Sequence, residues 1–237
     1  MKPLHMIHAA VTLLLLCVIL AFGVLVLSGV VELRIAIRGS ATATQLSKRP
    51  GETQPNREDP VATQALLKRV GEAVRAGRVS TSQQMGTGAE AYDDVPKDGA
   101  LLIGFEVTYG RYATNPTIKT VRPLFLTPNG KSAGTTHGVP GDSLTRVEAK
   151  AGYAVGAVTI KAGLGVDGMS VTFMQIGEKG LNPNESYESE WLGGLGGADK
   201  TKLGGSGALV IGIFGKTAEA PESTFNGLGL VMALKEE

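Results

Sequence analysis

The chain contains a single cysteine, Cys17, and no excess of either charge. A lone cysteine excludes an internal disulfide framework and a cluster of thiolate metal ligands. The formal net charge is +1 and only 19% of the residues are charged, which argues against a polybasic nucleic-acid binder and against a disordered acidic chain. We therefore expect no nucleic-acid partner, and no motif in the chain requires a cofactor.

Aromatic residues are also scarce, at 5%, whereas glycine is abundant, with 33 among 237 residues. Many glycines and few aromatics favour the tight turns and close backbone approaches of an all-β domain over a helical bundle. From about residue 100 to 234, short runs of Val, Ile, Thr and Phe are broken by Gly, Pro and Asn, without a helical period. This region is predicted to be all-β and large enough to form its own core.

The N-terminal residues 9–31, AAVTLLLLCVILAFGVLVLSGVV, carry no charge. A helix of this segment would be about 34 Å long, enough to cross a hydrocarbon core of about 30 Å. A cleaved secretory signal is the alternative, but the apolar run is longer than usual and no A-x-A-like site follows it before Arg34. We predict that residues 1–38 form a single-pass transmembrane anchor in contact with membrane lipid, followed by a flexible linker over 39–58.

The orientation of this anchor stays open. Lys2 is the only Lys or Arg before the apolar run, whereas Arg34, Arg38, Lys48 and Arg49 follow it. Positive-inside counting would keep the C-terminal part in the cytoplasm, while a glycan-binding domain would require the extracytoplasmic side.

Residues 59–97 are predicted to form a short amphipathic helix and a connector. Asp59 can cap the helix and Pro60 fits its first position, and apolar residues then recur at helical spacing up to Gly77. The apolar face could dock on the following domain or pair with a second copy of the chain, which would give a homo-oligomer. Docking is favoured because the helix is short.

The β region contains an internal repeat. Each copy begins with a strand-like segment that carries a glycine after apolar residues, and each continues after a loop into a second strand with apolar residues at alternate positions. The first strands are ALLIGFEVTYG (100–110), YAVGAVTIKAG (153–163) and ALVIGIFGK (208–216), and the second strands are TIKTVRPLF (117–125), DGMSVTFMQ (167–175) and NGLGLVMAL (226–234). The spacing predicts three strand, loop, strand units in a closed or three-fold β architecture.

From about residue 98 to 234 these repeats resemble the jacalin-related lectins. The similar segments are IGFEVTYG with TIKTVRPLF, HGVPGDSLTRVEAKAGYAVGAVTIKAG, MSVTFMQI with SYESEWLGGLGG, and VIGIFGK with LGLVMAL. The resemblance implies a β-prism over residues 98–237, with three four-stranded sheets around a pseudo-three-fold axis. It also implies a carbohydrate-binding protein that is not an enzyme.

The family binds sugars through a G-x-x-x-D loop that joins two strands of a unit. The second unit of this chain matches that motif with Gly163, Leu164, Gly165, Val166 and Asp167. In the third unit Glu222 stands in the glycine position and Asn226 in the aspartate position, which makes them a candidate secondary site, and the first unit has Lys119 near the corresponding place. An ionised carboxylate is a strong acceptor for hydroxyl groups, and glycines allow close backbone approach.

The same stretch has two other interpretations. GLGVDG fits G-x-G-x-x-G, but a dinucleotide loop must be followed by a helix, and here the β-branched run MSVTFMQIG predicts a strand. Asp167 and Gly168 could also form the tight turn of a hairpin without any ligand.

The remaining polar residues indicate neither a catalytic nor a metal site. His137 lies in a predicted surface loop without a nucleophile beside it. The segment LNPNESYESEWLGG lacks the spacing of a calcium loop and is predicted to be solvated, with Trp191 packed as an anchor. We expect a non-enzymatic, membrane-anchored module that binds a glycan, or alternatively a structural or assembly protein whose prism contacts a protein ligand.

Overall fold

The computed structural model describes residues 60–219 and 224–234. The predicted transmembrane anchor and linker, together with Glu222, lie outside these residues. Within the described ranges, no helix has both the length and the apolar character needed to cross a membrane.

The described chain consists of one helix followed by fifteen strands. The helix is α1 (Pro60–Arg75). The strands are β1 (Val79–Thr81), β2 (Met85–Gly86), β3 (Glu90–Asp94), β4 (Leu101–Tyr112), β5 (Asn115–Thr127), β6 (Gly130–Ala133), β7 (His137–Gly138), β8 (Leu144–Glu148), β9 (Tyr153–Ala162), β10 (Val166–Gly177), β11 (Gly180–Glu188), β12 (Leu192–Gly193), β13 (Thr201–Gly204), β14 (Val210–Thr217) and β15 (Phe225–Ala233).

These strands form three antiparallel sheets. Sheet I has the order β6-β5-β4-β8 with β7 beside β5, sheet II has the order β11-β10-β9-β13 with β12 beside β10, and sheet III has the order β1-β15-β14-β3 with β2 beside β15. The centre of each sheet is a long hairpin, β4–β5, β9–β10 or β14–β15. The predicted all-β architecture of three strand, loop, strand units is confirmed.

The core lies between the inner faces of the three sheets. Every sheet contributes fully buried aromatic and aliphatic side chains to one cluster, including Phe105, Phe125, Ile160, Phe173, Ile213 and Phe225. Each central hairpin therefore needs the other two to bury its apolar face, as repeat architectures generally do.

Helix α1 closes one end of the prism. Leu66, Leu67, Val70 and Ala73 are buried in a second cluster, whose members from the three sheets include Ile103, Leu124, Met174, Ile211 and Val231. The backbone just before β4 packs closely against α1. Gly99, which has a φ of +86°, lies against Gly71, and a Cβ on either glycine would meet backbone atoms. The expected docking of the helix on the β domain is observed.

The connector after the helix belongs to the β domain. The prism was predicted to begin at residue 98, but in the structure β1 and β2 pair with β15 and β3 pairs with β14. These strands have the sequences VST, MG and EAYDD, which are too short and too polar to show a period of two. Residues 79–94 therefore complete sheet III, and a fragment that starts at residue 98 would lack this part of the sheet.

Candidate ligand-binding cleft

The ends of the three central hairpins that lie away from α1 surround a cleft of about 970 Å³. The cleft is bordered by the turns over residues 113–114 and 163–165 and, in the third unit, by Ala218 and Thr224. Side chains or backbone from all three units line it, among them Lys119, Asp167 and Asn226. The predicted primary site and the described part of the secondary site therefore lie in one cleft.

Each central hairpin carries a bulge at the same place. In the three hairpins the second strand has one residue that faces no partner across the ladder, and these residues are Lys119, Asp167 and Asn226. A buried apolar residue comes directly before each of them, namely Ile118, Val166 and Phe225. Because a bulge redirects its side chain, the three residues are structurally equivalent positions that all face the cleft.

The Asp167 carboxylate lies against a glycine-rich loop, residues 192–197. A Cβ at Gly196 would lie 2.8 Å from Oδ1, and a Cβ at Gly197 would lie 2.6 Å from Oδ2. The Gly194 N–H donates to the Asp167 carbonyl at 2.7 Å. Only glycine leaves room for the carboxylate at this contact, so the loop that crosses the hairpin is part of the candidate site.

Partial burial changes the acidity of this carboxylate. Burial raises the pKa of the Asp167 carboxyl, while the backbone of Gly163 and the charge of Lys161 oppose that rise. A partly desolvated carboxylate is a poorly hydrated acceptor, and its ionised form gains from hydrogen-bond donors that a ligand brings.

Thr87, in the connector between α1 and β4, hydrogen-bonds to the turn of the G-x-x-x-D motif. The Gly163 N–H donates to the Gly165 carbonyl at 2.9 Å, and the Thr87 hydroxyl donates to the Leu164 carbonyl at 2.8 Å. Neither Gly163 nor Gly165 has a positive φ, and a Cβ at Gly163 would meet only the Cα of Gly197, at 3.7 Å. The turn conformation therefore does not require these glycines, which instead leave bare backbone at the cleft.

The hairpin-turn interpretation of Asp167 and Gly168 is not what the structure shows. The turn is formed by residues 163–165, and Asp167 and Gly168 lie beyond it within β10. Gly168 is required by close packing, because its Cβ would lie 2.6 Å from the indole Nε1 of Trp191. The strand predicted after the motif is present as β10. A dinucleotide site needs a helix at this position, so the motif is not one.

Asn226 lies beside the same turn. The Thr224 hydroxyl donates to the Asn226 Oδ1 at 3.0 Å, and this oxygen would lie 3.4 Å from a Cβ at Gly165. The amide of the third unit therefore lies against the turn of the second unit, and both Asn226 and Asp167 line the cleft.

The β4–β5 hairpin forms the other wall. It is longer than the other two and ends in a tight turn where Ala113 has a φ of 53°. The stem of Lys119 lies across Gly110, where a Cβ would be 2.7 Å from the lysine Cγ. Exposed apolar side chains stand on the rim, with Tyr112 66%, Val139 40% and Leu164 68% exposed. Thr87, Tyr112 and Gly197 also line the cleft. They were not predicted, because they belong to no sequence motif.

His137 is buried, contrary to the prediction of a surface loop histidine. Its ring stacks on Tyr92 with 3.9 Å between centroids, and its Nε2 lies 3.5 Å from the Asp94 Oδ2. No described residue forms a hydrogen bond with this nitrogen. Burial lowers the pKa of His137, and the charge of Asp94 only partly offsets this effect. The pairing of β7 with β5 brings His137 against β3 of sheet III, a contact that no sequence pattern reveals.

The polar segment after β10 lies at the outer edge of sheet II. The Glu188 carboxylate accepts a hydrogen bond from the Ser170 hydroxyl. The Trp191 indole N–H donates to the Gly194 carbonyl at 2.9 Å, which anchors the loop behind Asp167. Across the described part of the chain, no three or more His, Cys, Asp and Glu side chains group as metal ligands.

Two solved lectins share the fold of this chain. The crystal structure of the artocarpin–mannotriose complex matches with a TM-score of 0.50 and 16% sequence identity, over 66% of this chain and 99% of the other. Frutapin, a lectin from Artocarpus incisa, matches with a TM-score of 0.50 and 16% identity, over 66% and 98%. A mannose-specific jacalin-related lectin from Morus nigra gives a TM-score of 0.47 and 14% identity, over 66% and 96%.

The similarity to the first two lectins is one of fold. The three curled sheets form a jacalin-like β-prism. No family model matches the chain, and no curated protein matches its sequence.

Proposed function

We propose that this protein is a membrane-anchored, non-enzymatic module that binds carbohydrate in the cleft at the open end of the prism. The observation that carries the proposal is that the Asp167 carboxylate and the Asn226 amide occupy equivalent bulge positions in one cleft, each against glycine backbone. Hydroxyl groups of a sugar can donate to these oxygens.

The size of the cleft favours an oligosaccharide over a single sugar. Its volume of about 970 Å³ lies at the upper end of the roughly 300–1,000 Å³ typical of small-molecule pockets. The two lectins with the same fold support this ligand class, since one of them was solved as a complex with mannotriose.

The test is a glycan array probed with the full chain in detergent, beside Asp167→Asn and Glu178→Gln. Glu178 is an exposed carboxylate on the turn between β10 and β11, at the opposite end of the prism. We expect binding by the native chain and by Glu178→Gln, and loss of binding in Asp167→Asn.

The thermal stability of Asp167→Asn separates a binding role from a structural role. Since the pKa of Asp167 is raised in the folded state, its ionised form costs stability at neutral pH, and a neutral amide should not lower the Tm. If the folded native chain binds no glycan, or if Asp167→Asn binds as the native chain does, the carbohydrate proposal is wrong.

The second candidate function is assembly through protein contacts. It is favoured by the exposed apolar rim of Tyr112, Val139 and Leu164, which a neutral sugar would cover only in part. In that case Leu164→Ser should reduce self-association or partner binding in sedimentation experiments, whereas Asp167→Asn should not.

The membrane location is also part of the proposal. Residues 9–31 would form the single-pass anchor, and glycan binding would place the β domain on the extracytoplasmic side. Protease protection of the β domain in sealed vesicles distinguishes the two orientations.

A further inference from the structure

We propose that the cleft selects an oligosaccharide with one acidic sugar, whose anionic group pairs with Lys119 while neutral sugar hydroxyls occupy the Asp167 and Asn226 side. This inference rests on the proposed function, because it assigns the ligand class of the same cleft. It adds a cation-lined subsite on the first unit, which the G-x-x-x-D motif does not include.

The three bulge residues occupy structurally equivalent positions. Lys119 is directed into the cleft by the same local geometry that directs Asp167 and Asn226. Two of these positions carry oxygen acceptors suited to hydroxyl groups, whereas the ammonium group only donates. A ligand that satisfies all three positions must therefore offer an acceptor on one side, and a carboxylate or sulfate is the strongest one.

Lys119 has no ion-pair partner within the described part of the chain, residues 60–219 and 224–234. Two other lysines have partners: Lys131 Nζ lies 2.7 Å from Glu148 Oε1, and Lys200 Nζ lies 4.5 Å from the centroid of the Trp191 ring. A neutral ligand over Lys119 would remove water from the ammonium group without replacing it by an opposite charge, which costs free energy.

A second cation lies on the β4–β5 wall of the cleft, together with the first unit's Lys119. Arg111 also lines the cleft, and its Nη1 donates to the Thr114 carbonyl at 3.0 Å. This bond uses one of its donors and ties the guanidinium to the β4–β5 turn. The remaining N–H groups can bind a carboxylate or sulfate together with Lys119.

The charges of the cleft also limit the ligand. Asp142 and Asp167 line the cleft as well, so a polyanion would bring like charges together on those sides. The ligand that fits is an oligosaccharide with a single anionic group at one end and neutral sugars elsewhere.

The test uses the purified full chain in detergent and measures Kd by calorimetry. The probes are neutral trisaccharides of mannose, glucose and galactose, and the matching trisaccharides whose terminal hexose is replaced by the uronic acid. We expect the uronate form of the preferred sugar to bind about tenfold more tightly at low salt, in line with a charge-assisted hydrogen bond. This preference should weaken at high ionic strength.

The variant Lys119→Gln should remove the preference, so that the uronate and neutral forms bind with Kd values within about twofold of each other. The matched control is Lys97→Gln, which removes one exposed lysine in the segment between β3 and β4 and outside the cleft, and should keep the preference. Equal binding of neutral and uronate forms, or an unchanged preference in Lys119→Gln, overturns the acidic subsite while the proposed function stands. Absence of binding by all the probes, together with a negative glycan array, overturns the proposed function itself.

Discussion

The two ends of the prism are built differently. At one end, α1 seals the sheets with side chains that are almost completely buried, including Leu67 at 0% exposure. At the other end, the three hairpin tips leave an open cleft lined by carboxylates, amides, cations and bare glycine backbone. The same three-fold framework thus buries apolar side chains at one end and presents polar bulge residues to a cleft at the other.

The largest expected effect is at the sealed end. Leu67→Ala should lower the free energy of unfolding by about 2–5 kcal/mol, because it leaves a cavity between the helix and all three sheets. Denaturant unfolding of the full chain measures this loss. Lys68→Ala, on the exposed side of the same helix, is the control and should change stability little. A small effect of Leu67→Ala would mean that α1 does not seal the prism.

A smaller effect is expected at the open end. Gly197→Ala should cost about 1–3 kcal/mol of stability, because Gly197 has a φ of +76°, and it should also abolish glycan binding, because the new Cβ would displace the Asp167 carboxylate. Gly152→Ala is the matched control, since Gly152 has a φ of +78° with open space around it. If both variants bind glycan like the native chain, the contact between the loop and Asp167 is not part of the site.

The smallest effect is expected at the contact between sheets I and III, which lies away from both ends. Because the pKa of His137 is lowered in the folded state, the unfolded chain binds the proton more tightly. The stability that neutral His137 gives is therefore complete above the ordinary histidine pKa of 6.5, and it declines as the pH falls from there towards the lower pKa of the folded state.

The measurement is the Tm of the full chain between about pH 7.5 and 5, beside His137→Gln. The decline in Tm over this range should be smaller in the variant, whatever its absolute stability. An equal decline in both proteins would assign the pH dependence to other groups.

The internal repeat could be predicted because it is visible in the local pattern of residue types. Alternating apolar residues and recurrent glycines identify the strands of each central hairpin, and those strands form the middle of every sheet. The short strands β1, β2 and β3 were missed because they gain their stability only by pairing with β14 and β15. His137 was assigned to the surface for the same reason, since its burial depends on Tyr92, which is distant in the chain.

The candidate site was predictable only in part. The motif Gly163–Asp167 came from the resemblance to the jacalin-related lectins, and the same resemblance placed Asn226 in the aspartate position of the third unit. These residues reach one cleft with Lys119 because each central hairpin has a bulge at the equivalent position. The position of a bulge depends on the register between two paired strands, which a single segment does not reveal.

Local sequence is enough to specify the all-β class, the three units and the docking face of α1, because these follow from the period and composition of short segments. The arrangement of three equivalent bulges around one cleft and the completion of sheet III by the connector follow only from the folded structure. Those features arise from pairing between segments far apart in the chain, which local side-chain patterns do not encode.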